Sequence, residues 1–273
     1  MVSNNTNPII PRTNTLSHKK IHQVNAKREA GLTHFGYRKV AATNKTSMVR
    51  DVFESVAPHY DLMNDLMSGG IHRIWKLDLI REIRPQPGMK IVDVGGGSGD
   101  ISIGILNKAA CHVTICDINE EMLTIGRDRA INCGRLNSPD WICGDAESLP
   151  LPESYADVYV TAFCLRNVTR LEPALRDARR LLKPGGHFLC LEFSKVALPL
   201  ISNLYDLYSF KVLPLLGQMV TGNRDAYQYL VESIRKFPHQ KDFAKMISKA
   251  GLDQVSYRDV SCGIAAIHSA WRL

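Results

Sequence analysis

The sequence lacks the patterns that mark a metal-binding, secreted or membrane-spanning protein. Its seven cysteines form no C-x-x-C pair and have no histidine nearby at ligand spacing, so they read as small buried residues in a reducing compartment. The N-terminus has no apolar segment typical of a signal peptide. The apolar stretch between residues 196 and 220 is interrupted by Asp206 and Lys211. We therefore expect no bound metal, no export and no membrane-spanning helix.

Acidic residues are scarce in the first 50 positions. This region holds nine lysines and arginines against the single acid Glu29, a charge of +8, while the whole chain carries +7. Residues 1–32 are also rich in Asn, Thr, Ser and Pro, which predicts a disordered basic arm. Contact of this arm with nucleic acid or an anionic membrane surface is the alternative. The rest of the chain is long enough for one globular domain, residues 33–273.

A glycine-rich segment, Asp93-Val-Gly-Gly-Gly-Ser-Gly99, directly follows an apolar run. Gly95, Gly97 and Gly99 permit a sharp turn and close approach of a ligand to the backbone. Their spacing is G-x-G-x-G, whereas the dinucleotide fingerprint requires G-x-G-x-x-G. A carboxylate at Asp93 would repel a pyrophosphate and attract an ammonium group. The segment therefore predicts a site for S-adenosylmethionine (SAM), which has an ammonium and no phosphate.

Beyond this loop, strand and helix signals alternate, as in a doubly wound α/β fold. The apolar runs at 89–94, 111–116, 141–143, 156–163, 187–193, 254–260 and 264–268 predict a seven-stranded, mostly parallel sheet. Helices are expected at 100–107, 119–133 and 171–182, covering both faces of the sheet. Segments 45–56 and 71–83 predict an N-terminal helical lid over residues 33–86, preceding a Rossmann-like core at 87–273.

Carboxylates follow two of the predicted strands at the end where such sheets bind ligands. Asp117 lies eighteen residues after Gly99, where it could accept both ribose hydroxyls. Asp145 could accept the adenine amino group, and the small Ala146 leaves room for the ring. Each acid alone could equally be a helix N-cap. Together with the glycine loop they fit one nucleoside-bearing cofactor.

The chain resembles class I SAM-dependent methyltransferases, and more closely the family that methylates a ring carbon in ubiquinone and menaquinone biosynthesis. The resemblance runs from about residue 33 to the end. It is carried by Thr33-His-Phe-Gly-Tyr37, Val52-Phe-Glu-Ser-Val-Ala-Pro-His-Tyr-Asp61, Met63-Asn-Asp-Leu-Met-Ser-Gly-Gly-Ile-His-Arg-Ile-Trp75, Asp117-Ile-Asn119, Leu165-Arg-Asn-Val168, Leu182-Lys-Pro-Gly-Gly186, Leu191-Glu-Phe-Ser-Lys195 and Tyr229-Leu-Val-Glu-Ser-Ile234.

The resemblance implies SAM as cofactor and a polyprenyl quinol as acceptor: a 2-polyprenyl-6-methoxy-1,4-benzoquinol, a demethylmenaquinol, or both. It adds Ser98 and Ala162 to the expected cofactor contacts. Ala162 stands where relatives often have Ser, and Cys164 where the family usually has Gly. We expect the Cys164 side chain to intrude near the acceptor ring, which concerns ring preference and leaves cofactor binding intact.

Methylation of a quinol carbon requires alignment with the methyl group and stabilisation of a phenolate. Arg166 and Asn167 are the residues expected to do this. Arg is always protonated, so we expect it to stabilise the phenolate while a water or Asp145 accepts the proton. Tyr60 is expected to bind the other ring oxygen or close the site. The alternative is a structural turn in which Arg166 pairs with Asp145 or a helix carboxylate.

The apolar segment 198–219, within an insertion at 196–235, has two interpretations: a cover for the prenyl tail that faces the membrane, or a buried helix pair. No nucleic-acid partner is expected, because no Asn/Asp-Pro-Pro-aromatic motif appears. A homodimer or a quinone-biosynthesis complex is a further expectation. The expected location is the bacterial cytoplasm, peripheral to the inner membrane, with the mitochondrial matrix as alternative. The rival functions are methylation of another small aromatic or lipid acceptor, and a non-catalytic subunit of a quinone-synthesis assembly.

Overall fold

A computed structural model describes residues 31–56, 60–135, 139–194, 215, 218 and 224–273. The described strands are β1 (Leu32–Phe35), β2 (Arg38–Ala41), β3 (Lys90–Val94), β4 (His112–Asp117), β5 (Asp140–Cys143), β6 (Ala156–Ala162), β7 (Leu182–Phe193), β8 (Asp253–Val260) and β9 (Ala265–Arg272). The described helices are α1 (Ala42–Val56), α2 (Tyr60–Ser68), α3 (His72–Ile83), α4 (Asp100–Leu106), α5 (Glu120–Asn132), α6 (Leu171–Leu181), α7 (Arg224–Lys236) and α8 (Gln240–Lys249).

Seven strands form one sheet in the order β5-β4-β3-β6-β7-β9-β8. The first five are parallel to their neighbours, and β9 runs antiparallel between β7 and β8. The chain moves outward from β3 to β5 and then returns to the other side of β3 as β6. The order of the strands therefore reverses between β3 and β6, which is where α/β sheets bind their ligands. The predicted fold class, a seven-stranded mostly parallel sheet, is confirmed.

Strand β3 is apolar on both faces because each face is covered by helices. Ile91 belongs to one apolar cluster, with residues of α1, α3, α4 and α7. Its neighbour Val92 belongs to the other, with residues of α6 and α8. Both side chains are fully buried. This two-sided burial explains why the strand reads as a continuous apolar run.

The segment predicted as a helical lid opens instead with a β-hairpin, and this part of the prediction is wrong. Strands β1 and β2 pair antiparallel around Gly36, which has a φ of +58°. Phe35 is the buried residue of β1, and its ring stacks on Tyr229 of α7 at 4.0 Å between centroids. The hairpin is too short to show a period-2 pattern, and its fold depends on this distant partner. The sequence also gave no indication of helix α2.

The remaining boundaries lie close to those expected. Helix α6 ends at Leu181, before the Lys-Pro-Gly-Gly turn, as predicted. Strand β7 begins earlier than expected, because Leu182 pairs with Ala156 before a register shift restores pairing at His187. Within the predicted insertion, helix α7 is described, whereas the apolar segment 198–219 lies outside the described residues except for positions 215 and 218. Of the helices that the structure describes, none is long and apolar enough to span a membrane.

Candidate active site

The glycine loop connects β3 to α4 at the reversal of strand order. Gly95, Gly97 and Gly99 all have positive φ, at 68°, 51° and 85°. A Cβ on Gly95 would collide with the Cys164 side chain. The Gly95 nitrogen donates to the carbonyl of Cys116 at the end of β4. The loop therefore needs glycine both for its backbone conformation and for its close packing.

Asp93 lies beneath this loop and is 1% exposed. Its Oδ2 accepts a hydrogen bond from the Ser102 hydroxyl at 2.7 Å, while Oδ1 has no hydrogen-bond partner among the described residues. Burial raises the pKa of Asp93 to about 6, and the nearby Asp117 contributes in the same direction. A buried acceptor without a partner is costly, so a cationic or N–H-bearing ligand would relieve it.

Asp117 closes β4 and shapes the loop from the other side. Its Oδ2 accepts from the Gly97 nitrogen and its Oδ1 from the Asn119 nitrogen, both at 2.9 Å. Burial raises the pKa of Asp117, although these backbone donors lower it. The residue lines two adjoining compartments of the cleft together with Gly95. Each oxygen keeps acceptor capacity for a further hydrogen bond, as a pair of ribose hydroxyls requires.

The other expected cofactor residues are distributed around the same cleft. Asp145 and the buried Ala146 share a compartment with Asp117. Ser98 and Ala162 line a small cavity beside Asp93. The Ser98 hydroxyl is bound by Arg129 at 3.3 Å, and Asp145 accepts from the Glu147 nitrogen at 2.9 Å. The predicted cofactor residues thus come together at one edge of the sheet. An unpartnered Asp93 oxygen and a glycine cradle are features that SAM would satisfy.

Helix α1 forms the outer wall of the cleft. Val49 lines both compartments that contain Asp117, and Arg50 and Phe53 line one of them. Each of the two compartments encloses about 60 Å³, well below the roughly 300 Å³ of typical small-molecule sites. Neither compartment by itself is large enough for a nucleoside, and α1 is the wall whose outward movement would enlarge both.

Helix α1 is also attached to the segment that follows Arg166 and Asn167. The ammonium of Lys45 donates to the Val168 carbonyl at 2.8 Å, and Thr46 hydrogen-bonds Thr169 at 3.2 Å. Lys45 is 6% exposed, and burial lowers its pKa to about 8. Sequence reasoning counted Lys45 only among the bases of the N-terminal region and missed this contact.

Arg166 and Asn167 lie in a 3₁₀ turn, Leu165–Asn167, directly after β6. The guanidinium of Arg166 is fully buried, and its Nη1 donates to Glu192 Oε1 at 2.8 Å. The guanidinium also lies 5.4 Å from the ring of Phe193. The structural alternative named Asp145 or a helix carboxylate as partner, whereas the carboxylate that the structure shows on Nη1 is Glu192 of strand β7. A charged residue inside an apolar strand run was the signal that could have identified it.

Asn167 is held by α7. The hydroxyl of Tyr229 donates to Asn167 Oδ1 at 3.1 Å, and Phe35 of the hairpin stacks on the Tyr229 ring. Glu232, on the same helix, accepts from the Tyr37 nitrogen at 2.9 Å. The motifs at 33–37, 165–168 and 229–234, which are distant in sequence, therefore meet at one place. Asn167 also lines both compartments of the cleft, so this assembly positions a side chain of the site.

We expect Tyr229→Phe to lower kcat for methyl transfer by about three- to tenfold, because one hydrogen bond of about 1 kcal/mol to Asn167 is lost. The ring and its stacking on Phe35 are retained. Tyr159→Phe is the matched control, since Tyr159 is fully buried and its hydroxyl has no hydrogen-bond partner among the described residues. Equal kinetics for the two variants would contradict a role of Tyr229 in holding Asn167.

Tyr60 and Cys164 are also expected at the site, and the structure describes the side chain of Cys164 but not that of Tyr60. The backbone of Tyr60 begins α2, but its side chain lies outside what the structure describes. Cys164 packs against Gly95 and lines both compartments, so its thiol contacts the glycine loop directly. In the described ranges, no group of three or more His, Cys, Asp or Glu could hold a metal ion.

Comparison with known proteins identifies the family. A model of the ubiE/COQ5 methyltransferase family matches residues 39–272. The chain belongs to the ubiE/COQ5 methyltransferase family. It is 51% identical over 242 residues to the ubiquinone/menaquinone biosynthesis C-methyltransferase UbiE of Cereibacter sphaeroides, covering 88% of this chain and 97% of that protein. The UbiE of Brucella abortus is 50% identical over 248 residues, 89% of this chain and 92% of that protein.

Solved structures confirm the fold that this ubiE/COQ5 family member adopts. A possible histamine N-methyltransferase from Thermotoga maritima, a SAM-dependent methyltransferase, superimposes with a TM-score of 0.59 at 18% identity, covering 82% of this chain and all of that one. A SAM-dependent methyltransferase from Aquifex aeolicus gives a TM-score of 0.53 at 17% identity, covering 72% of this chain and 89% of that one. The chain therefore has the class I SAM-dependent methyltransferase fold.

Proposed function

We propose that this protein transfers a methyl group from SAM to a ring carbon of a polyprenyl quinol, either a 2-polyprenyl-6-methoxy-1,4-benzoquinol, a demethylmenaquinol, or both. The observation that carries the proposal is the convergence of motifs typical of the quinone family around Arg166 and Asn167. The relatives named for ubiquinone and menaquinone biosynthesis support it, since they match nearly the whole chain.

The residues of the cleft divide the work of binding the cofactor. Asp117 accepts the ribose hydroxyls, and Asp145 with Ala146 receives the adenine. Asp93, whose Oδ1 has no partner in the part of the chain that the structure describes, accepts the ammonium group through the edge of the glycine loop. Ser98 and Ala162 complete the wall beside it. When bound, SAM supplies an electrophilic methyl group on a positively charged sulfur.

Arg166 provides a fixed positive charge next to the cleft. A quinol oxygen that loses its proton becomes a phenolate, which activates the ring carbon ortho to it. A buried guanidinium stabilises that negative charge far more than water does. Asn167, which shares a compartment with Asp145, orients the quinol oxygen or the water that takes its proton. Asp145 is the proposed acceptor of that proton, and Tyr60 the proposed contact to the second ring oxygen.

The balance of the reaction is simple. The ring carbon forms a bond to the methyl carbon while the carbon–sulfur bond breaks and its electron pair remains on sulfur. The ring then loses its proton to restore aromaticity, and the ring oxygen takes back the proton that it gave up when the phenolate formed. The products are the methylated quinol, S-adenosylhomocysteine (SAH) and one proton, so no oxidant or reductant is consumed.

The direct test is transfer of labelled methyl from SAM to demethylated quinols presented in detergent, with a benzoquinol and a naphthoquinol acceptor compared side by side. Labelled methyl in either quinol supports the proposal and identifies the ring. Binding of SAM without transfer to any quinol would favour another acceptor, and no binding of SAM would favour a non-catalytic subunit. Quinone profiling of cells without the protein should show a precursor lacking one methyl group.

We further propose that the protein works at the cytoplasmic surface of a bacterial inner membrane, because polyprenyl quinols are lipids and the relatives come from bacteria. The contact is peripheral, and a homodimer or a quinone-biosynthesis complex is its proposed form. Liposome flotation and sedimentation of the full chain test these proposals. The protein should float with quinol-containing or anionic liposomes. If it floats no more with any liposome than in buffer alone, membrane contact is contradicted.

A further inference from the structure

We propose that Glu192 is a positioning residue of the methyl-transfer site, whose carboxylate holds the Arg166 guanidinium in place for the acceptor. The inference rests on the proposed function, since it takes Arg166 as the group that stabilises the quinol oxygen. Glu192 belongs to the segment Leu191-Glu-Phe-Ser-Lys195, whose sequence alone does not indicate a role for the carboxylate.

The position of Glu192 is unusual for a charged residue. It is the penultimate residue of β7, is 1% exposed and pairs in register with Ala266 of β9. Residues two and four positions earlier, Cys190 and Phe188, share its face of the strand and belong to an apolar cluster. The pattern of the strand therefore favours an apolar side chain at 192.

Glu192 and Arg166 form a pair that is cut off from solvent. The side chains are 1% and 0% exposed, and Oε1 accepts from Nη1 at 2.8 Å. The second carboxylate oxygen, Oε2, has no hydrogen-bond partner among the described residues. Burial of two charges costs as much free energy as their attraction returns, so apolar side chains would stabilise the fold at least as well. Stability alone does not account for this pair, and a role in the site does.

The contact explains how a long, flexible side chain is fixed. Arg166 Nη1 donates both to Glu192 and to the carbonyl of Phe163, while the guanidinium lies over the rings of Phe163 and Phe193. The carboxylate and the Phe163 carbonyl both bind Nη1, so they fix the orientation of the planar guanidinium about that nitrogen. A guanidinium held in this way needs no reorganisation when negative charge develops on the acceptor.

The ionisation of Glu192 falls near neutral pH. Burial raises its pKa to about 7, against the lowering influence of Arg166. The titratable groups that face it are Arg166 from the 3₁₀ turn, Cys190 on its own strand, Cys164 after β6 and Tyr229 of α7. Burial raises the pKa of both thiols and of the Tyr229 hydroxyl, so these three stay neutral. Only the ionised form of Glu192 holds the guanidinium by charge as well as by a hydrogen bond, and kcat should therefore rise with pH through about 7.

Glu192→Gln is the test, because glutamine keeps the shape and one acceptor but removes the charge. We expect kcat to fall by about tenfold or more, with the Kd for SAH, measured by calorimetry, unchanged. We also expect the rise of kcat through about pH 7 to disappear. Asp93, whose pKa is about 6, lies in the cofactor cleft and is retained in this variant, so it cannot cause the difference.

Two further variants separate positioning from folding. Glu192→Asp keeps the carboxylate, so it should retain the rise of kcat with pH at a reduced kcat, and it serves if Glu192→Gln melts below the assay temperature. Glu147→Gln is the matched control: Glu147 is 4% exposed and binds Arg170 at 2.8 Å in the same loop region. This control should lose thermal stability while keeping the wild-type kcat and pH profile.

The outcomes are distinguishable. If the wild type is active and Glu192→Gln has the same kcat and pH profile, the role of Glu192 is overturned and the proposed function stands. The same holds if Glu147→Gln loses as much kcat as Glu192→Gln, or if the loss lies entirely in SAH binding. A wild type that methylates no quinol overturns the proposed function and this inference with it.

Discussion

Replacing Asp117 with alanine should lower the affinity for SAM and SAH by about 100-fold or more. The carboxylate of Asp117 has two tasks. It accepts from the Gly97 and Asn119 nitrogens and so sets the shape of the glycine loop. It also faces both compartments of the cleft. Hydrogen bonds to a charged group contribute about 1.5–3 kcal/mol each, and loss of two ribose contacts therefore exceeds about 2.7 kcal/mol, a factor of 100.

Calorimetric titration with SAH measures this effect without depending on the acceptor. Asp140→Ala is the matched control. Asp140 is an exposed carboxylate on the adjacent strand β5, at its first residue, and so lies at the amino ends of the strands, away from the cleft. Asp117→Asn should bind at an intermediate affinity, because an amide oxygen still accepts one hydrogen bond. Wild-type SAH affinity in Asp117→Ala would place the nucleoside elsewhere.

Arg166→Met should lower kcat by about 10²–10³, the cost of removing a charge-stabilising group from an enclosed site. The same substitution should reduce the free energy of unfolding by about 3–5 kcal/mol, because it leaves the Glu192 carboxylate buried without a partner. The Kd for SAH should stay near the wild-type value, since Arg166 does not line the compartments that hold Asp117.

The loss of stability should depend on pH with a definite sign. The pKa of Glu192 in the folded protein lies above its ordinary value of 4.5, at about 7. Folding therefore favours the protonated form, and the penalty for burying the carboxylate is absent below about pH 4.5 and complete above about 7. Removal of Arg166 enlarges this penalty, so Arg166→Met should be close to wild-type stability in acid and destabilised above neutrality.

The double variant Arg166→Met/Glu192→Met separates the two effects. It removes both charges, so denaturant unfolding should show much of the lost stability restored while kcat stays low. Arg166→Lys should retain the charge but not the planar fork, and its kcat should lie between the wild type and Arg166→Met. Recovery of kcat in the double variant would show that Arg166 acts only through folding.

The sequence was sufficient for the parts of the fold in which local pattern and tertiary structure agree. Strand β3 is an apolar run because helices cover both of its faces, and Asn119 caps α5 by accepting from the Met122 nitrogen, as its position before that helix predicts. The convergence of the proposed cofactor residues could also be predicted, because each lies at or near the carboxyl end of a strand of the parallel part of the sheet. Topology brings such positions to one edge whatever the details of packing.

Features that depend on contacts between distant segments could not be predicted. The hairpin β1–β2 is only four residues per strand, and its buried Phe35 is explained by Tyr229, which lies 194 positions later. The Glu192 partner of Arg166 is 26 positions away, on strand β7, and no local pattern connects the two residues. In both cases a local signal existed, an aromatic residue and a charge in unexpected places, but its partner required the three-dimensional structure.

Helix α1 is both a wall of the cleft and a support for the segment that follows Arg166 and Asn167. Because Lys45 and Thr46 are bonded to Val168 and Thr169, a swing of this helix that admits a nucleoside has to release the peptide immediately beyond Asn167. Opening of the cleft and support of the turn that carries Arg166 and Asn167 therefore depend on the same two contacts. The support that α1 gives to this turn therefore exists only while the helix covers the cleft, the position that keeps bulk water out of it.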